Sequence, residues 1–316
     1  MGPHETPNES PDEGFSTLWK AMADGRSGYG TEPLLTIGDS VEGSGAFTGE
    51  TGHYIPVGIP DGLGATKLDD DTVRVFMNHE IEEGGTAYTV NNGIPGVEPY
   101  SLQGARISYF DIDSHTHTIE DGGIAYNRIY GIDGALITDL DHFAQTTAGG
   151  EDGFSRFCSS SLFEPDTFGP GTGFANPVYF TGEEVDDGVF YALDVTHGAL
   201  HAAPALGRGA WENLSVVDTG NPNQVGLLLG DDTSGNLLYL YVGEKNAIGD
   251  GSFLDRNGLA KGQLYAWAAD DRDVAAGFHT DPTTFNAQGA SLHGTFLPID
   301  TFDAGKAGTD GYDQFG

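Results

Sequence analysis

The chain has 316 residues, with 13 basic side chains against 48 acidic ones and a formal net charge of −35, so nucleic acid and anionic membrane surfaces are poor partners: both would be repelled. Its hydrophobic content of 38%, with 11% aromatic residues, excludes an acidic disordered chain, because that composition is enough to build a core. A charge excess of this size is tolerable where salt shortens the screening length to about 3 Å at 1 M, so a salt-adapted protein is expected, with only Lys20, Lys67, Lys245, Lys261 and Lys306 as lysines.

In chain order, Met1–Gly14 is polar and Pro-rich and is expected to be a disordered tail without the apolar stretch of a signal peptide. Residues 15–316 read as a single domain. Helix is expected only at Ser16–Met22 and around Asp139–Thr146. Strands are expected at Thr72–Met77, Ala105–Asp111, Pro177–Thr181, Val189–Val195, Leu214–Val217, Val225–Leu229, Leu237–Val242 and Gln263–Ala268, each apolar and bounded by Gly, Asp, Asn or Pro. With 49 glycines punctuating these runs, the fold class is all-β. No stretch approaches 18 consecutive apolar residues, so no membrane-spanning helix is expected. A single cysteine, Cys158, rules out an intrachain disulfide and leaves the compartment unread. The oligomeric state is equally unread.

Three segments share one design. Val75-Phe76-Met77 runs into Asn78-His79-Glu80, Val178-Tyr179-Phe180 into Thr181-Gly182-Glu183-Glu184, and Gly226-Leu227-Leu228-Leu229 into Gly230-Asp231-Asp232. An apolar strand ending in acids, recurring along an all-β chain, points to a β-propeller whose equivalent strands line one channel, so that the acids converge.

Carboxylates gathered at one mouth repel each other unless cations neutralise them, and hard cations such as Ca²⁺ take oxygen ligands. Glu80, Glu183, Glu184, Glu212, Asp231 and Asp232 are the candidate ligands; Asp69-Asp70-Asp71 reads as a surface turn instead. Three roles stand open for Cys158: a small buried hydrophobe, a nucleophile with His79 as its base, or a thiolate ligand favouring a transition metal. A G-x-S-x-G elbow, an H-E-x-x-H helix and a P-loop are all absent. Gly169–Gly173 lacks Rossmann spacing, and Asp111-Ile112-Asp113-Ser114-His115 lacks the glycine and closing glutamate of an EF-hand loop.

Six segments in order, Ile59–Ala65, Asn78-His79-Glu80, Arg156–Ser160, Gly182-Glu183-Glu184, Gly209–Asn213 and Leu229–Asp232, resemble the PhoX family of secreted alkaline phosphatases over roughly Thr36 to Asp271. The resemblance implies a six-bladed propeller that hydrolyses phosphomonoesters outside the cytoplasm, in the periplasm or beyond it, at a centre of Fe³⁺ and Ca²⁺. Cys158 would then bind iron, and Glu80, Glu183, Glu184 and Glu212 iron or calcium. Arg156 and Arg208, with Lys245 third, are the candidates for contacting the phosphate of a small phosphoester. Two departures stand out. Trp211 occupies a position where many relatives carry histidine, and no Arg-Pro-Glu-like element of a closing blade precedes Gly316. Thr301–Gly316 is therefore expected to stop short of that blade, unless a residue such as Glu244 or Asp255 closes the site. The competing functions are a calcium-dependent propeller lactonase or esterase, which needs no thiolate, and a non-enzymatic calcium-stabilised extracellular module, which should hold no iron.

Overall fold

The computed structural model describes residues 28, 30–31, 33–49, 51–82, 84–147, 150, 152–233, 236–270, 291 and 293–299. A lead-in hairpin of β1 (Val41–Gly43) and β2 (Gly52–Tyr54) precedes β3 (Pro60–Lys67) and β4 (Thr72–His79). Next come β5 (Tyr88–Val90), β6 (Tyr100–Gly104), β7 (Arg106–Asp113), β8 (Ile119–Ile124) and β9 (Arg128–Tyr130), then helix α1 (Leu140–Thr146). The chain continues through β10 (Gly153–Phe154), β11 (Phe157–Phe163), β12 (Val178–Glu183), β13 (Phe190–Asp194) and β14 (Ala199–Ala202). Last are β15 (Trp211–Val217), β16 (Gln224–Asp231), β17 (Leu238–Glu244), the short helix α2 (Phe253–Arg256), β18 (Gly262–Ala269) and β19 (Gly294–Pro298). All eight expected strands are present, with ends that differ by up to three residues. α1 forms where expected because the Asp139 carboxylate accepts from the His142 amide at 2.8 Å, capping an otherwise unsatisfied donor. The expectations for Met1–Gly14, Ser16–Met22 and Thr301–Gly316 lie outside the described residues.

The chain is all-β. Its three large sheets run in the orders β3-β4-β7-β8, β11-β12-β13-β14-β9 and β15-β16-β17-β18-β19, and every pairing in them is antiparallel except β9 with β14. In each, four strands follow one another in chain order as an antiparallel run, the layout of a propeller blade, with β9 and β19 added at the outer edges of the second and third. The small sheet β10-β6-β5 fills the excursion between β4 and β7. The first strands β3, β11 and β15 pack alongside one another, with β11 in the middle. The repeated apolar-to-acid segments are β4, β12 and β16, the second strand of each sheet, so they stand one place back from the row that the sequence assigned to them.

β12 explains why its apolar run was legible. Tyr179 faces one core with Phe76, Phe157 and Tyr191, while Val178 and Phe180 face another with Phe190, Trp211 and Leu227. A strand buried on both faces shows no alternation of polar and apolar residues. Close stacking of β3 on β11 requires glycine at two positions: a Cβ on Gly62 would lie 2.4 Å from the Ser160 amide nitrogen, and one on Gly64 2.8 Å from Leu162 Cβ.

His201 on β14 lies flat against Tyr130 at 4.4 Å between ring centroids, with Phe253 at 5.0 Å on its other contact. Burial pushes its pKa from 6.5 down to about 4. The folded protein therefore binds this proton less readily than the unfolded chain does. The stability this group contributes is fully present above pH 6.5 and is lost as pH falls to the folded value and below, by roughly 3 kcal/mol in all. His201→Phe keeps the ring stack and removes the titration. Urea midpoints from pH 7 to 4 should fall less in the variant than in the parent.

Candidate metal centre

The same irregularity recurs in the first strand of each large sheet. Pro60 pairs with His79 and Leu63 with Met77, Phe157 with Glu183 and Ser160 with Thr181, Trp211 with Asp231 and Asn213 with Gly230. In each case the first strand spends one more residue than its partner, which is a β-bulge. The bulged segments carry Asp61, Cys158 and Glu212. A bulge interrupts strict alternation and re-aims a side chain, and here three bulges on three adjacent strands re-aim three ligand-type groups. One residue beyond the pairing of each second strand stand Glu80, Glu184 and Asp232. Their amides donate to the carbonyls of Ile59, Arg156 and Ala210, the residues just before each first strand. The repeat therefore extends to register as well as to sequence pattern.

Two groups of ligand atoms result, each lying within 4.8 Å: Asp61, Glu80 and Cys158, and Cys158, Glu184 and Glu212. Cys158 belongs to both. Its Sγ lies 3.1 Å from Glu212 Oε2 and 3.7 Å from Asp61 Oδ2. Burial and the adjacent carboxylates hold its thiol well above the ordinary range. Burial also raises the Asp61 carboxyl, with repulsion from Glu80 adding to it. Glu184 is raised by burial, partly offset by Cys158 and Arg156. One thiol proton cannot serve carboxylates on both sides. The donor set, one sulfur among four carboxylates with unmet negative charge, fits a bound cation. Sulfur at the shared position suits a transition metal, and the outer carboxylates suit a hard ion. Asp61 is exposed while Cys158 is buried, so the site opens on the Asp61 side.

Arg156 is the guanidinium at this group. Nη2 donates to Glu80 Oε1 and to Glu184 Oε2, both at 2.8 Å, and Nε donates to Glu80 Oε1 at 3.1 Å. Its φ of 49° turns the chain into the bulged strand, as does the φ of 52° at Ile59.

The other sequence candidates are placed differently. Glu183 belongs to neither group: it is fully buried, Oε1 accepts from the Ser155 amide at 3.2 Å, and burial pushes its pKa up to about 8 against the opposing pull of Ser155 and Arg208. Period-two alternation explains this, since adjacent residues at a strand end face opposite ways. Arg208 is buried on the Glu183 and Tyr191 side, with Nη1 donating to the Asp187 carbonyl. Lys245 donates to the Gly171 carbonyl. Asp231 Oδ1 accepts from the Thr233 amide, and Asp232, although equivalent in register to Glu80 and Glu184, joins neither group. Asp255 is fully buried and accepts from the amides of Ile248 and Gly249, a structural role. His79 cannot serve as a base for Cys158, because Nε2 is engaged by Ser108 Oγ at 2.7 Å and Nδ1 faces the Gly58 carbonyl at 3.2 Å. Trp211 is stacked on Phe190 at 4.9 Å in the core and offers no ligand. The sequence reading missed Asp61, although aligning Pro60-Asp61, Phe157-Cys158 and Trp211-Glu212 ahead of the repeated acids would have found it.

No family model matches the chain, and no curated protein matches it. A solved structure, "Pseudomonas fluorescens PhoX in complex with vanadate, a transition state analogue", is similar over 75% of this chain and 51% of its own, at a TM-score of 0.46 and 14% identity. This chain thus spans about half the length of that one. The fold class rests on the strand pairings above. No helix among the described residues is long and apolar enough to cross a membrane.

Proposed function

We propose that this chain hydrolyses phosphomonoesters at a metal centre held by Asp61, Glu80, Cys158, Glu184 and Glu212. The observation that carries the reading is the threefold bulge, which brings Asp61, Cys158 and Glu212 to one place with a guanidinium beside them. The reaction class is supported by the ordered segments that resemble the PhoX phosphatases, all six of which contribute residues at or next to these bulges and strand ends. By that resemblance iron takes the position at Cys158, the surrounding carboxylates bind iron or calcium, and the protein works outside the cytoplasm. Bound there, such cations supply polarisation of phosphoryl oxygens and an activated oxygen nucleophile.

The chain's own residues do the rest. A surface of net charge −35 repels a phosphate dianion, so the substrate needs local positive charge, and Arg156 is the group placed to hold a phosphoryl oxygen. Glu80 and Glu184 orient that guanidinium from both sides. Burial of Cys158 keeps water from the sulfur, while the exposed Asp61 side admits substrate.

The test compares three carboxylates. Loss of partners outside the ligand set already costs about 10–100-fold in metal affinity, so Glu184→Gln should cost at least that, with p-nitrophenyl phosphate hydrolysis falling in step. Glu183→Gln, on the other side of β12, should leave metal content unchanged. Asp70→Asn, in an exposed turn where Asp70 pairs with Lys67, should change neither. Equal losses from all three would mean that solvated acids have been mistaken for ligands.

A further inference from the structure

A cavity of about 320 Å³ lies between the β1-β2 hairpin, the segment around β5 and strands β7 and β8 of the first large sheet. In a chain with 48 acidic residues, none of the described residues lining it is acidic. Arg106 lines it, only 3% exposed, and no carboxylate pairs with it among the described residues. Its Nε and Nη2 donate to the Gly104 carbonyl, Nη2 donates also to the Thr86 carbonyl, and the guanidinium lies 4.3 Å over the Tyr88 ring. These partners fix its orientation without neutralising it. A buried cation costs several kcal/mol unless an anion is near. The acids around the cavity are otherwise engaged: Asp121 takes hydrogen bonds from Ser44 and from Tyr109, Glu42 faces His53, and Glu183, beyond Tyr88, accepts from the Ser155 amide.

We propose that this cavity binds a small organic carboxylate, with its charge at Arg106 and its apolar body against Tyr54, Tyr88 and Tyr109. One guanidinium matches one negative charge: no second guanidinium or ammonium is present among the described lining residues, and the imidazole of His53 is turned to Glu42. The remaining polar lining is that imidazole and the hydroxyls of Thr48, Thr51, Thr86 and Thr89. The volume suits a ligand of roughly ten heavy atoms, at the lower end of small-molecule pockets of about 300–1,000 Å³. The cavity shares no lining residue with the two ligand groups.

Calorimetric titration of the metal-loaded protein in fixed chloride tests this, with benzoate as probe and benzyl alcohol and sulfate as comparators. Benzoate should bind saturably at one site, and the two comparators should not. Arg106→Met should weaken benzoate at least roughly tenfold, the scale of one charge-assisted hydrogen bond. Because Arg106 also ties down two carbonyls, Ala87→Trp at the exposed rim provides a second variant; it should block benzoate equally while leaving phosphoester hydrolysis intact. Cys158→Ser should leave benzoate binding unchanged. Benzoate binding that is lost in Cys158→Ser but kept in Ala87→Trp would place the anion on the metal centre and overturn the proposal. Equal binding of benzyl alcohol, or no saturable binding of benzoate, would overturn it as well.

Discussion

Cys158→Ser is expected to abolish iron retention and to lower p-nitrophenyl phosphate turnover at least about a hundredfold, while the melting profile of the metal-free protein stays close to that of the parent. Cys158 is the one thiol in the chain, and its sulfur is the one atom shared by both ligand groups. A serine hydroxyl preserves the size and the hydrogen bond to Glu212 but is a poor ligand for a transition metal. Even partners outside the ligand set are worth about 10–100-fold in affinity or activity, and the shared ligand should exceed them. Visible absorbance from a thiolate-to-iron transition should disappear with the substitution. A calcium-dependent esterase or a calcium-stabilised scaffold would keep its metal and its properties in this variant, so the same experiment separates the iron phosphatase from both.

Arg156→Met is expected to act on the chemistry and not on the metal. If the guanidinium holds a phosphoryl oxygen, its loss removes one or two hydrogen bonds to a charged group, about 1.5–3 kcal/mol each, and kcat/KM should fall roughly 10–150-fold for the loss of one. Removing the arginine also leaves Glu80 and Glu184 with a bound cation as their only nearby positive charge, so metal content should hold or rise. Metal content that falls together with activity would make Arg156 a structural clasp for two carboxylates. Steady-state kinetics beside elemental analysis distinguishes the two.

Legibility in the sequence followed the physics of each element. Val178–Phe180 and Leu227–Leu229 announced themselves because both faces of their sheets are buried and the runs are unbroken. β3 and β11 did not, although they carry Asp61 and Cys158. β3 is built on glycines that permit close stacking, so Pro60-Asp61-Gly62 reads as a turn. β11 runs through Ser159, Ser160 and Ser161, which lack strand-like character. Pairing in the blade forms both strands regardless of propensity. The acids were legible as a class, since Glu80, Glu184 and Glu212 converge on Cys158. The distinction between Glu183 and Glu184 was not, because it depends on which face each adopts at a strand end. Repetition carried the signal, but it pointed only to the second strand of each blade, where Glu80 and Glu184 stand, while the bulges that carry Asp61, Cys158 and Glu212 lie in the first.

The most direct test is the metal content of the chain purified without chelator, measured with phosphoester turnover before chelation, after it, and after metal is restored. A centre at Cys158 predicts a transition metal, iron by the resemblance, with turnover lost on chelation and regained with that metal. Turnover that survives complete removal of metal, or a protein that takes up calcium alone and hydrolyses no phosphoester, would contradict it.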